Sequence, residues 1–594
     1  MEVFGKLTVV CTAAAAALCG VSCISVDDTL GQDYIPASHK WQVINTSLDI
    51  ESIGMAQADE LGGYSSRRIC VGGIEDSDFG WDEREAAFSL IPIADTAEFT
   101  LGENPEFVRF HFAVGLDTLS VKDANQEHII QNIRVYELQK PLDQEIIYAG
   151  KGTDGLYDTS LGTITEGVPT YNGGDSLSFD FTREFGEKYI KKLSGMKLDS
   201  VSHYIKELPG ICIRADRSAS GSGRINMFKV AVSTNDYGYI TGNYAELSIR
   251  STFDDRGPID TSFVFMVGAA SFIGESSTSL PTQYSFNICR SENRTPPAAE
   301  GETIYIGGGC GMKPVIRAEG LRQAVTEAIR KSLLENLNKD EASADMSEEE
   351  KKDIVEKTIA DGKIVVNKAT IRLPYETDAD YSGSGCWPKI LSPTCRLVGT
   401  RTIKTEDGSK EQEVVSYAGL TDASVSSENQ GDINRSLDCY QPDVSHHIQE
   451  LLRLSKKDDE SDEDYAKRVS QYDIWMLIMH SETNKTTSSS GSSSYNDYLN
   501  ALAYSSYYNS LYNGYGGYGY GGYGYGYGSY GYGSYYNNYY NYMMMAAYAS
   551  QSSSTSASTS TELDKDRYYS CKLYGPKSAE KKPTMTITYS FPTE

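Results

Sequence analysis

The chain has 594 residues and a formal net charge of -28, from 82 acidic and 54 basic residues. The length exceeds that of one average domain, so we expect two or more globular units. The negative charge repels a phosphate backbone and leaves no basic stripe to release counterions, so we expect no nucleic-acid partner. An acidic surface is otherwise the usual basis of solubility in a large exported protein, and it indicates no particular ligand.

The first residues are typical of an export signal. Lys6 gives a weakly positive start, residues 7–18 form an apolar, alanine-rich run, and small residues then precede a cysteine. The run is too short and too soon interrupted for a transmembrane span. Gly20-Val21-Ser22-Cys23 resembles a lipobox, in which a small residue admits the signal peptidase before a lipidated cysteine. The sequence therefore predicts a signal peptide over residues 1–22 and lipidation of Cys23, with an ordinary secretory signal as the alternative.

A short tether follows the predicted lipid anchor. Asp27 and Asp28 resemble the acidic surface-export signal of Bacteroidota lipoproteins. We therefore predict a lipidated tether over residues 23–40 that anchors the protein in the outer membrane, facing the cell exterior. Each buried methylene adds about 0.8 kcal/mol to membrane binding, so several acyl chains on one cysteine would hold the protein firmly.

Apolar and polar residues alternate with a period of two in many segments, which indicates half-buried strands. The pattern favours a mainly β fold, with antiparallel β-sandwich or jelly-roll-like domains and a few short helices. We place an N-terminal β domain over residues 41–300 and a C-terminal β domain over residues 301–485 and 562–594. The predicted strands are 41–50, 107–114, 133–138, 177–181, 211–215, 244–252, 262–267, 284–289, 363–375, 474–480, 568–574 and 584–591.

A few segments carry helical periodicity instead. Residues 321–337 have an apolar side chain at every fourth position, which indicates a helix packed on the core rather than a cofactor-binding segment. The C-terminal β domain has two more predicted helices, 347–360 and 446–454, and the N-terminal domain has one, 183–193. The acidic run 458–464 is predicted to be a solvated connection.

Residues 486–561 have serine-rich ends around a tyrosine- and glycine-rich centre. Such a composition lacks the branched aliphatic surface that would offset the entropy of ordering, so we predict a disordered insertion. It lies between two predicted strands and is therefore a loop within a domain. Its tyrosines could stack on sugars or on other tyrosine-rich chains, but a loose spacer is the simpler interpretation.

Of the 11 cysteines, Cys11 and Cys19 fall in the predicted signal peptide and Cys23 is the predicted anchor, which leaves eight. An even number in an exported chain permits disulfides. Cys386 and Cys395 flank a short loop with two prolines and are the preferred pair, although the sequence leaves the connectivity open. The eight show no CxxC spacing and the chain has no HExxH pair, so we predict no metal site and no cofactor.

Other patterns suggest chemistry only superficially. The glycines at 307–309 and 311 precede a helix as in a phosphate cradle, but Lys313-Pro314 follows and the Walker pattern is absent, so a tight turn is predicted. Adjacent His446 and His447 point to different sides of a helix and are interpreted as a partly exposed helix start rather than as metal ligands.

Acidic and aromatic residues leave two further alternatives open. The acidic clusters at 254–255 and 378–380 could serve glycoside hydrolysis or calcium binding, but neither matches an EF-hand loop. A sugar platform could use the indole rings, although core packing is the default for side chains of this size. The four tryptophans are Trp41, Trp81, Trp387 and Trp475.

Several fragments in order resemble a Bacteroidota lipoprotein family known as domain of unknown function 4270. They are Asp27-Asp28-Thr29-Leu30-Gly31, residues 132–138, 203–214, 305–311 and 366–371, and the closing segments 573–575 and 583–589. The resemblance implies a β-rich, outer-membrane-associated lipoprotein of unsettled biochemical role, with no catalytic residues to carry over. The tyrosine- and glycine-rich insertion has no counterpart in the family pattern.

The expected function is that of a non-catalytic, surface-exposed outer-membrane lipoprotein. It would act as a structural or interaction component of a cell-envelope assembly, with an outer-membrane protein as partner. The alternative is a glycan-binding lipoprotein of a polysaccharide-uptake system. A hydrolase is disfavoured, because no GxSxG elbow and no protease-like cysteine signature occurs.

Overall fold

The computed structural model describes residues 41–65, 68–92, 100–121, 129–142, 145–198, 201–218, 223–230, 232–234, 240–253, 257–267, 284–294, 301–339, 343–377, 384–405, 408–425, 430–485 and 557–592. The predicted signal peptide, the tether with Cys23, the acidic clusters at 254–255 and 378–380, and residues 486–556 of the predicted insertion lie outside this part. Within it, no helix has both the length and the apolar character needed to cross a membrane.

The fold is mainly antiparallel β with several sheets, as the alternating pattern predicts. The described strands are β1 (Trp41–Asp49), β2 (Ile53–Gln57), β3 (Arg68–Asp76), β4 (Gly80–Phe88), β5 (Leu90–Pro92), β6 (Glu103–Val121), β7 (Gln131–Glu137), β8 (Thr170–Tyr171), β9 (Ser176–Asp180), β10 (Ile211–Ala215), β11 (Gly223–Lys229), β12 (Val232–Thr234), β13 (Ile240–Gly242), β14 (Tyr244–Thr252), β15 (Pro258–Val267), β16 (Ser285–Ser291), β17 (Thr303–Gly307), β18 (Met312–Ile316), β19 (Val365–Pro374), β20 (Ile390–Thr405), β21 (Gly408–Gly419), β22 (Ile433–Asn434), β23 (Cys439–Tyr440), β24 (Ile474–Lys485), β25 (Ala557–Leu563), β26 (Ser570–Tyr574) and β27 (Thr584–Pro592). The described α-helices are α1 (Arg183–Ser194), α2 (Val201–Glu207), α3 (Ala318–Lys339), α4 (Glu348–Ala360), α5 (Thr421–Val425), α6 (Ser445–Arg453) and α7 (Asp462–Ser470).

The largest sheet has 12 strands in the order β5-β15-β14-β6-β11-β3-β4-β10-β7-β8, with β16 paired to β4 and β9 paired to β6. Helices α1 and α2 pack their apolar faces into the core of this sheet through side chains such as Phe185, Tyr189 and Tyr204. Phe110 of β6 lies in the same core, with its ring centroid 5.2 Å from that of Tyr189. The alternation of β6 thus buries one face under helix α1.

A second sheet has six strands in the order β2-β18-β24-β20-β21, with β25 paired to β24. Its outer strand β21 is held by a loop, because the Tyr148 hydroxyl accepts a hydrogen bond of 2.6 Å from the backbone N–H of Val415. Two smaller sheets pair β17 with β26 and β12 with β13. A five-stranded sheet has the order β1-β27-β19-β23-β22.

The chain divides into two compact units, and their boundaries differ from those of the two predicted β domains. Among the described residues, unit 1 comprises those within 41–46, 329–367 and 588–592, and unit 2 comprises those within 47–328 and 368–587. Strands from both sides of the predicted boundary at residue 300 pair within unit 2. Strand β18 lies antiparallel to β2, with Val315 opposite Gly54.

Unit 1 includes helix α4, whose ends follow local sequence rules. Ser347 accepts a hydrogen bond from the backbone N–H of Glu350, and the Glu350 carboxylate accepts one from the backbone N–H of Ser347, which completes a capping box. Lys351 Nζ donates to Asn338 Oδ1 at 2.9 Å, within the same unit. The predicted start of this helix at residue 347 is therefore its N-cap.

Two other predicted segments are wrong at one end. The acidic run 458–464 is not only a connection, because Ser461 caps a helix that begins at Asp462 and gains from acidic side chains in its first turn. The insertion predicted to end at residue 561 ends earlier, because β25 begins at Ala557 and pairs with β24, with Ser560 opposite Glu482. Backbone pairing with a long neighbouring strand here overrides a composition that has little apolar surface.

Candidate functional site

Strand β4 carries four consecutive charged residues in the interior of unit 2, Asp82, Glu83, Arg84 and Glu85, and all four are buried. It pairs with β3 and β10 along one edge and with β16 along the other. Successive side chains of a strand point to opposite faces, so the run splits into two clusters. Asp82 and Arg84 belong to the first cluster. Glu83 and Glu85 belong to the second.

We call the first group the thiol cluster. It consists of Asp82, Arg84, Cys289, Cys310 and Lys313. Arg84 forms an ion pair with Asp82 and also donates from Nη1 to the backbone carbonyl of Glu83 at 3.0 Å. Cys289 lies directly opposite Arg84 on the paired strand β16. The cluster therefore contains one carboxylate, that of Asp82, and two cationic side chains, those of Arg84 and Lys313. This leaves an excess of one positive charge beside the two thiols.

The glycine-rich turn between β17 and β18 wraps around the ammonium group of buried Lys313. Lys313 Nζ donates to the carbonyl oxygens of Gly307, Gly309 and Gly311 at 2.7, 2.9 and 2.9 Å. A phosphate cradle presents N–H groups to its ligand, whereas this turn presents carbonyl oxygens, which suit a cation. The predicted tight turn is confirmed, and its cation is a side chain of the same protein.

Burial lowers the pKa of Lys313 to about 8, while the nearby thiols and Asp82 favour its charged form. The lowered pKa still leaves the side chain mostly protonated at pH 7. An ammonium group has three N–H donors, and three carbonyl oxygens surround this one. The conformation of the turn is therefore tied to a single buried charge.

Gly309 is required in this turn for two independent reasons. Its φ of 49° lies in the left-handed region, which favours glycine. A Cβ at this position would also come within 2.5 Å of Arg84 Nη2 and 2.6 Å of Cys289 Sγ. The backbone of the turn therefore packs against the thiol cluster with no room for a side chain.

We call the second group the glutamate cluster. It consists of Glu83, Glu85, Tyr157, Arg214 and Arg290. The Tyr157 hydroxyl donates to the Glu85 carboxylate, with distances of 2.9 and 3.0 Å to its two oxygens. Arg214 Nη2 lies 3.0 Å from Glu83 Oε1, and Arg290 Nε lies 3.6 Å from Glu85 Oε1. Two carboxylates and two guanidinium groups balance each other, so this cluster has no excess charge.

Electrostatics in the glutamate cluster favour fixed protonation states. Burial raises the pKa of Glu83, and the neighbouring Glu85 carboxylate raises it further, against the opposing effect of Arg214. Burial and Glu85 together raise the pKa of Tyr157 far above its ordinary value, so its phenol stays a hydrogen-bond donor. Each acidic group of the pair has a donor inside the fold, which is the arrangement expected for a structural ionic network.

In this structure each of the eight cysteines is a thiol, and the disulfide between Cys386 and Cys395 stays a prediction. Cys386 follows β19 in a short 3-10 helix and packs against Ile74, Ile225 and Tyr568. Cys395 lies on β20, which is paired with β21 on one side and β24 on the other. The two thiols therefore lie in different local environments, although only nine positions separate them in the sequence.

The tryptophans divide between core and surface within their units. Trp387 and Trp475 are buried, which confirms core packing as their role. The Trp81 ring is covered by Arg217, whose guanidinium carbon lies 5.0 Å from the ring centroid. Trp41 is 51% exposed at the start of β1. Among the described tryptophans, Trp41 therefore has the indole most accessible to a ligand.

The interpretation of His446 and His447 as a partly exposed helix start is right in position but wrong in exposure for one of them. The Asp422 carboxylate accepts hydrogen bonds from both backbone N–H groups, at 2.7 and 3.1 Å, and so caps helix α6. The imidazole of His447 is buried, with Nε2 2.9 Å from the carbonyl oxygen of Tyr472. Burial lowers the pKa of His447, so the ring is neutral at pH 7.

Sequence reasoning missed both clusters on β4. The run Asp82-Glu83-Arg84-Glu85 has no apolar alternation, but its charges alternate in sign at the last three positions, which is a usable signal for buried ion pairs on a strand. In the described part of the chain, no three histidine, cysteine, aspartate or glutamate side chains lie together as metal ligands. Comparison with protein-family models, with curated proteins and with solved structures gives no match for this chain.

Proposed function

We propose that the protein is a non-catalytic, surface-exposed outer-membrane lipoprotein that acts as a structural or interaction component of a cell-envelope assembly. We also propose that it belongs to the Bacteroidota family known as domain of unknown function 4270, which the order of its motifs resembles. The lipobox at Cys23 is the observation that carries the anchor, and the internal pairing of the two ionic clusters on β4 supports the non-catalytic role. Side chains of the types that catalyse reactions are used there to hold strands together.

The glutamate cluster shows how this pairing bears on catalysis. A glycosidase needs one carboxyl group that reaches the leaving oxygen and another that reaches the sugar ring or a water molecule. Glu85 is 1% exposed and accepts a hydrogen bond from Tyr157, while Glu83 pairs with Arg214. These partners favour a structural role for the two carboxylates.

Lipidation at Cys23 is the first part of the proposal that can be tested. The full chain, with its own signal segment, is expressed in a Bacteroidota host that is fed a clickable fatty acid. We expect label on the wild-type protein and on Cys19→Ser, and none on Cys23→Ser. Label that persists on Cys23→Ser, or that disappears from Cys19→Ser, would contradict the assignment of the anchor.

Surface exposure and partnership are tested separately. Protease added to intact cells should cleave the wild-type protein, whereas a variant with Asp27→Asn and Asp28→Asn should be protected while still lipidated. Affinity capture in mild detergent should recover an outer-membrane protein at a stoichiometric yield. If no such partner is captured, the proposed interaction role is contradicted, whereas the proposed lipid anchor is unaffected.

Glycan binding is a second proposal, supported by the exposed indole of Trp41. Aromatic rings are common sugar platforms because their apolar faces stack on the pyranose ring. Calorimetry with cell-wall and dietary polysaccharides tests it, with Trp41→Ala as the variant and Trp81→Ala as the control whose ring is covered by Arg217. Heat of binding that Trp41→Ala abolishes would favour this role over a purely structural one.

A further inference from the structure

We infer that Cys289 and Cys310 form a disulfide in the exported protein. Their Sγ atoms lie 2.6 Å apart, and both side chains are buried. Non-bonded heavy atoms prefer separations of about 3.5–4.0 Å, whereas a disulfide bond is about 2.05 Å long. The two sulfurs are therefore already closer than an ordinary contact, and a small movement of the side chains completes the bond.

The bond would join two segments that meet only in the folded chain. Cys289 is on β16 and Cys310 is in the glycine-rich turn between β17 and β18. The backbone N–H of Cys310 donates to Cys289 Sγ at 2.9 Å, which fixes the approach of the turn. Gly309 leaves space for this approach, because a Cβ there would lie 2.6 Å from the same sulfur.

The charges of the thiol cluster favour formation of the disulfide between Cys289 and Cys310. Burial raises the pKa of Cys289, but the hydrogen bond between the Cys289 and Cys310 side chains and the charge of Arg84 outweigh it, so the pKa lies below its ordinary value. A thiolate is the nucleophile in disulfide exchange. Arg84 Nε and Nη2 are buried without a hydrogen-bond partner, which leaves the guanidinium available to stabilise negative charge on sulfur.

The oxidant is the disulfide of a thiol–disulfide oxidoreductase in the exporting compartment, which acts once β16 has placed Cys289 opposite Arg84 and before the turn with Cys310 closes over it. The Cys289 thiolate attacks one oxidant sulfur, which forms a mixed disulfide and releases the other oxidant sulfur as a thiolate. Cys310 then loses its proton and attacks Cys289 Sγ, which expels the second thiolate. The cysteine pair loses two protons and two electrons, and the oxidant disulfide is reduced to a dithiol.

The inference shares with the proposed function only the premise of export. A protein that is lipidated on Cys23 but keeps both thiols reduced would overturn the disulfide and leave the anchor standing. A disulfide in an exported protein that lacks lipid would do the opposite. The two proposals can therefore fail independently.

Peptide mapping of the full-length protein decides the question. Protein harvested from the cell envelope in N-ethylmaleimide is denatured in the same reagent, digested without reductant and analysed by mass spectrometry. We expect one peptide pair linked through Cys289 and Cys310, about 2 Da lighter than the sum of the two thiol peptides. Maleimide on both cysteines, or a link between Cys386 and Cys395 in their place, would overturn the inference.

Thermal unfolding gives a second readout. Dithiothreitol should lower the melting temperature of the wild-type protein and of Cys212→Ser by about 3 °C. Cys212 is buried in an apolar cluster with Ala87 and Ile288, so Cys212→Ser is the matched control. A variant with Cys289→Ser and Cys310→Ser should be insensitive to the reductant. If that variant does not fold, the wild-type comparison with and without reductant still decides, and an unchanged melting temperature would contradict the inference.

Discussion

Arg84 and Asp82 lie two residues apart on β4 and form an ion pair whose side chains are 1% and 6% exposed, respectively. A charge removed from water is tolerated when its partner is present, because its own desolvation is costly. The pair lies in the strand that links β3 and β10 to β16. The thiol cluster therefore depends on charge complementarity as well as on packing.

Removing one member of this pair should be strongly destabilising. Asp82→Asn leaves Arg84 buried without its counter-charge, so we expect the free energy of unfolding to fall by about 3–5 kcal/mol. Urea denaturation followed by tryptophan fluorescence measures the change. Asp260→Asn breaks the exposed pair with Arg250 and serves as the control, which should unfold at nearly the wild-type urea concentration. Equal effects of the two substitutions would contradict a special role for the buried pair.

Lys313→Met should release the glycine-rich turn. The substitution keeps the apolar stem but removes the donor that three carbonyl oxygens share, and unsatisfied buried acceptors cost about 1–3 kcal/mol each. We expect a loss of about 3 kcal/mol or more and faster hydrogen exchange at the backbone N–H of Gly311. The control is Lys151→Met, because the Lys151 ammonium is largely exposed in its pair with Glu60. Unchanged exchange at Gly311 would show that the turn holds its conformation without the ammonium.

The pH dependence of stability should include a contribution from His447. Burial lowers its pKa in the native state, so the unfolded chain binds this proton at a higher pH than the folded chain does. Stability is therefore lost as the pH falls from about 6.5, the ordinary histidine value, toward the lowered native pKa. His447→Gln should flatten the curve of melting temperature against pH in this window. His203→Gln, at an exposed position, is the control for replacing an imidazole with an amide.

Asp473→Ala should weaken the start of helix α3. Asp473 accepts a hydrogen bond from the backbone N–H of Ala318 at 2.8 Å and pairs with Arg317 at 2.7 Å. Loss of a helix N-cap costs about 0.5–2 kcal/mol, and we expect a change in the free energy of unfolding within that range. Asp473→Asn keeps an acceptor and should recover most of the loss. Identical destabilisation by both variants would attribute the effect to the ion pair rather than to the cap.

Helix α3 shows which features the sequence can and cannot predict. Its apolar repeat predicts residues 321–337, and the observed helix is Ala318–Lys339. The repeat is a local feature of the sequence and does not depend on the tertiary arrangement, so it was sufficient to predict the helix. The N-cap comes from Asp473, more than 150 positions away, and no local pattern could predict it.

The strands show the same difference between features that a local pattern predicts and features that depend on distant residues. The period of two predicts Ile211–Ala215 and Tyr244–Thr252 with the observed bounds. Burial alternates along Tyr244–Thr252, whereas Ile211–Ala215 is buried on both faces. Strand β4 was missed because its interior positions carry charges, which are stable there only with partners such as Arg214 and Cys289 from other strands. Composition and periodicity thus determined the β class and the main helices. Pairing between distant segments decided the buried ionic clusters, the unit boundaries and the approach of Cys289 to Cys310, because these contacts satisfy charges and thiols only after the chain has folded.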